Sequence, residues 1–236
     1  MIMSLTFKDG VYACIPTLLG YIGIGIAAGV VGKSANLSVF EITLLAIIVY
    51  AGASQFIIAG LMMVATPVSA IIFTVFLVNS RHFLMSMATA PAFRKFSFLN
   101  NMGIGSLLTD ESFAVVMNAI ANKVPVNAAW MHGLNVMAYL TWIMSCFLGA
   151  IIGEWLPDPN LFGLDYALVA MFIGLLYLQL IGDKSKSLKN RLLVMVTVAV
   201  MLILLMRFVS PEMAILISTF GGCFMGMAME RENDSL

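Results

Sequence analysis

Long apolar runs separated by short polar punctuation dominate the chain. Most of them reach the roughly 20 residues a helix needs to cross a hydrocarbon core. They predict helices over about Val11–Val31, Phe40–Val64, Pro67–Ala90, Ala128–Trp155, Tyr166–Ile181, Leu192–Val209 and Pro211–Met229. The stretch 100–122 breaks this rhythm. Asn100-Asn101-Met102-Gly103-Ile104-Gly105 reads as a loop, and Thr109 is placed as a helix N-cap. Asp110 and Glu111 then fall in the first turn, where the helix dipole favours acidic groups. The apolar remainder, about Phe113–Ala121, is too short to span, so a re-entrant or broken element with Thr109 at its break is expected. The expected fold is therefore an all-α polytopic integral membrane protein, with about seven transmembrane helices plus this broken segment, in one domain over 1–236.

Composition agrees with that pattern. Of 236 residues, 61% are hydrophobic and only 10% charged, against about 25% charged in soluble domains. Lipid must therefore solvate much of the surface. The formal net charge is zero, which gives no nucleic-acid signature. Cys14, Cys146 and Cys223 lie singly in apolar surroundings, with no CxxC pattern, so neither a disulfide framework nor a metal site is expected. The first ten residues lack a basic stretch and a cleavage site, so no removable leader is expected.

Against this background the polar residues inside apolar runs stand out. Asn79, Arg81 and His82 follow the run from Ala70 to Val78, and Thr109, Asp110 and Glu111 precede another. Charge at membrane depth is costly and marks a pathway or a binding site. Asn79, His82, Ser86 and Thr89 recur at helical spacing and form one polar stripe. Ser54 and Gln55 sit deep in the second run and need partners, either across helices or on a small substrate. The first run carries Pro16 and a glycine series that includes Gly23, Gly25 and Gly29. Its Gly25-xxx-Gly29 face suits close helix packing, or an unwound segment whose backbone meets a ligand. A serine–histidine dyad of Ser54 with His82 or His132 is the enzymatic alternative. It lacks the glycine expected after the nucleophile, where Gln55 stands. His132 is expected to be structural or interfacial.

Basic loops stay cytoplasmic, so Lys33, Arg94-Lys95, Lys123 and the Lys184–Arg191 loop are placed inside, and the acidic Pro157 loop outside. This gives seven crossings, an external N-terminus and a non-crossing fourth segment. A loose inverted repeat, with halves 10–95 and 128–208, accompanies that arrangement; inverted repeats are a transporter architecture.

Gly52-Ala53-Ser54-Gln55-Phe56, Asn79-Ser80-Arg81-His82, Leu108-Thr109-Asp110-Glu111-Ser112-Phe113 and Leu156-Pro157-Asp158-Pro159 with Gly163-Leu164-Asp165-Tyr166-Ala167 occur in this order. Together they resemble the AzlC/YgaZ family over nearly the whole chain. Ser80 stands where the family pattern has leucine, and Tyr21-Ile22-Gly23 where a proline and an aromatic are common. The resemblance implies a multi-pass protein of the cell inner membrane, a secondary transporter exporting valine, leucine and isoleucine, with methionine a further candidate substrate. It also implies proton coupling and a small AzlD/YgaH-like membrane subunit as partner, with no cofactor. On that reading Gly23, Gly25, Ser54, Gln55, Asn79, Arg81 and Thr109 are expected to bind the amino acid, and His82, Asp110 and Glu111 to carry the coupling proton.

Overall fold

The computed structural model describes residues 5–156, 166, 169–170, 173–174, 176–177, 180, 188–209 and 211–233. The expected helix over Tyr166–Ile181, the acidic loop after Leu156 and the basic loop before Arg191 lie wholly or largely outside these residues. The described elements are all helical: α1 (Phe7–Ser34), α2 (Val39–Ile48), α3 (Gly52–Met63), α4 (Val68–Phe93), α5 (Phe98–Ser106), α6 (Asp110–Ala121), α7 (Ala128–Trp155), α8 (Leu188–Leu205) and α9 (Pro211–Asn233). Four of them, α1, α4, α7 and α8, are long and apolar enough to cross a membrane. The chain forms two compact units, Met1–Leu176 and Tyr177–Leu236.

In the first unit the most extensive packing is α1 on α7. A Cβ on Gly10 would meet the Trp130 carbonyl, one on Gly25 would meet Ser145, and one on Gly29 would meet Cys146 and Ala150. The partner numbers rise together, so the two helices run parallel. Lys33 closes their C-terminal end on Glu154 at 3.1 Å. Here backbone packs against backbone, which only glycine permits. α1 is continuous through its glycines and through Pro16, with no unwound segment.

The second apolar run is not the single span expected over Phe40–Val64. It breaks at Val49-Tyr50-Ala51, where Tyr50 takes φ 42°. α2 starts beside the C-terminal end of α1, with Ile42 against Gly32. It descends to the level of Tyr139, whose hydroxyl donates to the Ile47 carbonyl at 2.9 Å and so satisfies an acceptor freed by the break. α3 then climbs back. Gly52 lies on the Trp142 ring, and Gln55 reaches both Trp142 and Cys146, one turn further along α7. The pair is a hairpin dipping from the C-terminal end of α1 and α7 to mid-depth.

α4 returns to the opposite end. α5 runs beside it in reverse, with His82 on Leu108 and Ser86 at Gly105, and beside α7 in parallel, with His132 at Asn100 and Asn135 on Ile104. The expected loop over Asn100–Gly105 is thus helical, opened by the Ser97 cap. The break after α5 comes at Leu107-Leu108-Thr109, as the capping pattern predicts, and Thr109 caps α6 with Ser112 completing the box. Asn127, which opens α7, donates to the Leu5 carbonyl at the N-terminal end of α1. The six residues 122–127 reach at most about 20 Å, so α6 also returns to the end from which α5 came.

Two dipping hairpins, α2–α3 and α5–α6, therefore enter from opposite ends, each after a long helix, α1 or α4. Local detail repeats between them. Ser38 and Ser97 cap the descending arms. Ala65 and Lys123 take φ 54° and 57° just beyond the ascending arms. In both hairpins the next amide bonds back to a carbonyl five residues earlier, Thr66 to Leu61 and Val124 to Ala119, each within 3.0 Å. This inverted relation spans about 7–66 and 68–124. The expected halves 10–95 and 128–208 fall elsewhere, and the second includes residues outside the described ones.

The second unit contains α8 and α9, joined at Met206–Val209. They pack antiparallel, with Gly221 on Met201 and Gly222 on Val198.

Candidate functional site

The two hairpin tips meet at mid-depth, between α1, α4 and α7. They enclose a small cavity lined by Tyr21, Tyr50, Ala51, Gly52, Arg81, His82, Thr109, Asp110, Glu111 and Trp142. Its free volume is about 20 Å³, enough for about one water molecule. That is too small for a leucine side chain, which enters only after the walls move.

Each wall follows from local sequence. Arg81 sits near the middle of α4 and pairs with Asp110 at 2.8 Å, the two side chains being 26% and 17% exposed. Asp110 and Glu111 open α6, so the helix dipole supports both carboxylates. Glu111 makes no ion pair among the described residues. His82 Nδ1 lies 3.0 Å from the Leu108 carbonyl. A carbonyl only accepts, so Nδ1 donates, and Nε2 of the neutral ring presents a lone pair. That Nε2 is buried and has no partner among the described residues. The Thr109 and Tyr21 hydroxyls share a short hydrogen bond that ties the second tip to α1.

The first tip differs. Ala51 precedes α3 and gives it no side-chain cap. The first amides of a helix, here those of Gly52, Ala53 and Ser54, lack intrahelical acceptors. Beside them stands Tyr50, 7% exposed. Its hydroxyl approaches that of Tyr21 but makes no hydrogen bond of ordinary geometry.

Of the residues expected from sequence, Arg81, His82, Thr109, Asp110 and Glu111 line the cavity. Ser54, Gln55 and Asn79 lie immediately behind it. The buried Ser54 hydroxyl donates to Asn79 Oδ1 at 2.7 Å, and Trp142 Nε1 donates to Gln55 Oε1 at 3.0 Å. No Ser54–histidine hydrogen bond is formed among the described residues, so the dyad geometry is not made. Gly23 and Gly25 are not brought to the cavity. Gly23 is exposed with open space around it, and Gly25 packs on Ser145. Sequence reasoning missed Tyr21, Tyr50 and Trp142. Their signal was available: an aromatic with a polar atom, set in an apolar run, needs a partner when buried.

Among the described residues, hairpins that dip from opposite ends and present charged and unpaired polar groups to one cavity define a helical membrane protein with a buried polar centre. A sequence model described as AzlC protein matches residues 16–156, which include every residue lining that cavity. The chain belongs to the AzlC family. An uncharacterized membrane protein of Archaeoglobus fulgidus is 30% identical over 78% of this chain and 80% of its own length. The branched-chain amino acid transport protein AzlC of Bacillus subtilis is 27% identical over 76% and 70%. The inner membrane protein YgaZ of Escherichia coli is 26% identical over 65% and 63%. No solved structure matches the chain.

Proposed function

We propose that this chain is a secondary carrier that exports branched-chain amino acids across the cell inner membrane, coupled to protons and working with a small AzlD/YgaH-like subunit. The observation that carries the reading is the pair of complementary walls in the cavity. The uncapped α3 N-terminus, with the Tyr50 hydroxyl beside it, suits a carboxylate. Glu111, without an ion-pair partner among the described residues, suits an ammonium group or a transferred proton. An α-amino acid brings a carboxylate and an ammonium on one carbon. Trp142, Tyr21 and Ala51 give the apolar contact its side chain needs. Arg81 already holds Asp110, so we assign that pair to positioning the second tip. Asn79 holds Ser54, and Gln55 holds Trp142, as supports for the first.

The name of the B. subtilis relative supports the substrate class, and that of the E. coli relative supports the inner membrane. The exposed Arg94, Lys95 and Lys123 gather at the N-terminal end of α1 and α7, so that end is assigned to the cytoplasm; Lys33, expected on the same side, lies at the opposite end on Glu154, and the N-terminus, expected outside, falls inside on this assignment. We take the chain to be a carrier rather than an enzyme.

Counterflow in proteoliposomes holding this chain and its partner tests the reading. Internal unlabelled leucine should accelerate uptake of labelled leucine, and Tyr50→Phe and Glu111→Gln should each slow that exchange at least tenfold. Uptake that ignores internal leucine would refute a carrier in favour of a pore. Full exchange in both variants would remove the assigned contacts while leaving the carrier class standing.

A further inference from the structure

The two hairpins share a plan but differ in what covers them. α2 descends through apolar neighbours: Ile42 rests on Gly32, Ala46 is fully buried, and Tyr139 takes up the free Ile47 carbonyl. α5 descends through polar ones. At its outer end His132 Nε2 donates to Asn100 Oδ1 at 3.2 Å. One turn deeper, Asn135 Nδ2 donates to the Ile104 carbonyl at 3.1 Å, with Ser86 of α4 facing Gly105. At the inner end His82 meets Leu108 and the cavity begins. Asn100 and Leu108 are separated by about 12 Å along the helix axis. Polar side chains thus mark every level from the surface to the centre.

The hydrogen-bond ledger of this file does not close. Asn135 is fully buried and its Oδ1 has no partner, and the buried Asn101 Oδ1 and His82 Nε2 have none either. A buried polar atom left unsatisfied forfeits its hydration with nothing in return. Native proteins meet that cost with ordered water. Three such atoms fall along the α4–α5–α7 file, whereas on the first hairpin the unpaired atom among the described residues is the Tyr50 hydroxyl, at the cavity itself and not along the descent of α2. Dry packing explains the α2 side and leaves the α5 side unexplained.

We infer that the α4–α5–α7 file is a hydrated half-channel, which admits water and hydronium to the cavity from the Arg94 end only. The assignment does not depend on amino-acid transport. The route supplies protons from a single side, while the α2 side stays sealed. His132, expected from the sequence to be structural or interfacial, stands at its outer mouth.

Cysteine accessibility in the full chain, in membranes, tests this directly. Cys14, Cys146 and Cys223 are first replaced by alanine. Ser86→Cys, nearly isosteric, and Asn135→Cys should react with a small hydrophilic methanethiosulfonate added on the side where Lys95→Cys reacts, and not from the other side. Ile42→Cys and Ala46→Cys should stay unreactive from both. If Ser86→Cys is as inert as Ala46→Cys, or reacts equally from both sides, the half-channel is overturned. Ser86→Cys keeps the test decisive should Asn135→Cys fail to fold. Substrate exchange is measured separately, so loss of the half-channel and loss of the carrier reading are distinguishable.

Discussion

Alanine substituted at Gly29 and at Gly23 should move stability in opposite directions, although both glycines lie in α1. A Cβ at Gly29 would sit 2.3 Å from the Cys146 carbonyl oxygen and 2.5 Å from the Ala150 nitrogen, where ordinary contact begins at 3.4 Å. Both atoms are backbone, so no side chain can swing aside. The helices must part by about 1 Å, and such overpacking costs about 1–3 kcal/mol. Removing a glycine from a helix returns about 0.5–1 kcal/mol. A Cβ at Gly23 meets nothing within 4 Å, so only that gain applies. The two variants should differ by roughly 1–3 kcal/mol, and at about 2–4 °C per kcal/mol their melting temperatures should differ by roughly 2–12 °C. Thermal unfolding in detergent, followed by tryptophan fluorescence, measures the gap. Gly29→Ala should also slow leucine exchange, because Tyr21 and Trp142 approach each other from the two helices it separates. Equal melting within 1 °C, or the reverse order, would refute the seam. A transport defect in Gly23→Ala with normal stability would restore Gly23 to the site.

Thr109→Val should lose the α6 cap and the tie to Tyr21, lowering stability by about 1 kcal/mol or more, while Thr109→Ser should keep most of both; detergent melts compare them. Gln55→Leu leaves the buried Trp142 N–H without its acceptor, a cost of about 1–3 kcal/mol that Gln55→Glu should largely avoid. Arg81→Met should destabilise more than half as much as the double change with Asp110→Leu, because it leaves the Asp110 carboxylate at mid-depth without its ion pair; a double-mutant cycle reads the coupling. Arg94→Cys and Lys123→Cys should label from the same side, and labelling from opposite sides would contradict the dipping path of α5–α6.

The second hairpin was legible because its break is written in local chemistry. Thr109 caps, Asp110 and Glu111 follow, and the apolar remainder is short. The polar stripe on α4 was legible too. His82 does face the cavity, Ser86 faces α5, and Thr89 is buried, whereas Phe76, Phe83 and Met87 face outward. The first hairpin was hidden. Around the break, Ile42 to Ala51 is apolar but for Thr43 and the Tyr50 hydroxyl, and Tyr50 at φ 42° is neither glycine nor proline, so nothing announces it. Its bend is held from outside, by the Tyr139 hydroxyl on Ile47 and by Gly52 on Trp142. Those partners lie more than 80 residues away in sequence, beyond any window of periodicity. The helix at α5 was missed for the same reason. Asn100, Asn101, Gly103 and Gly105 are poor helix formers, and packing against α7 overrides their preference. Loop charge counting then treated α2–α3 as one crossing, which separates the parallel α1–α7 pair observed from the opposed pair that the expected topology implied.

The parallel seam also sets a timetable. α1 leaves the ribosome roughly 120 residues before α7 is complete, which at about 5–20 residues per second is roughly 6 to 24 s. Throughout that interval the glycine face of α1 has no partner, and both hairpins emerge with no opposite wall to rest on. The tightest contact in the unit is therefore among the last to form. A nascent chain halted before α7 holds every residue of the charged pair, Arg81 and Asp110, but neither Trp142 nor the surface against which the breaks are bent.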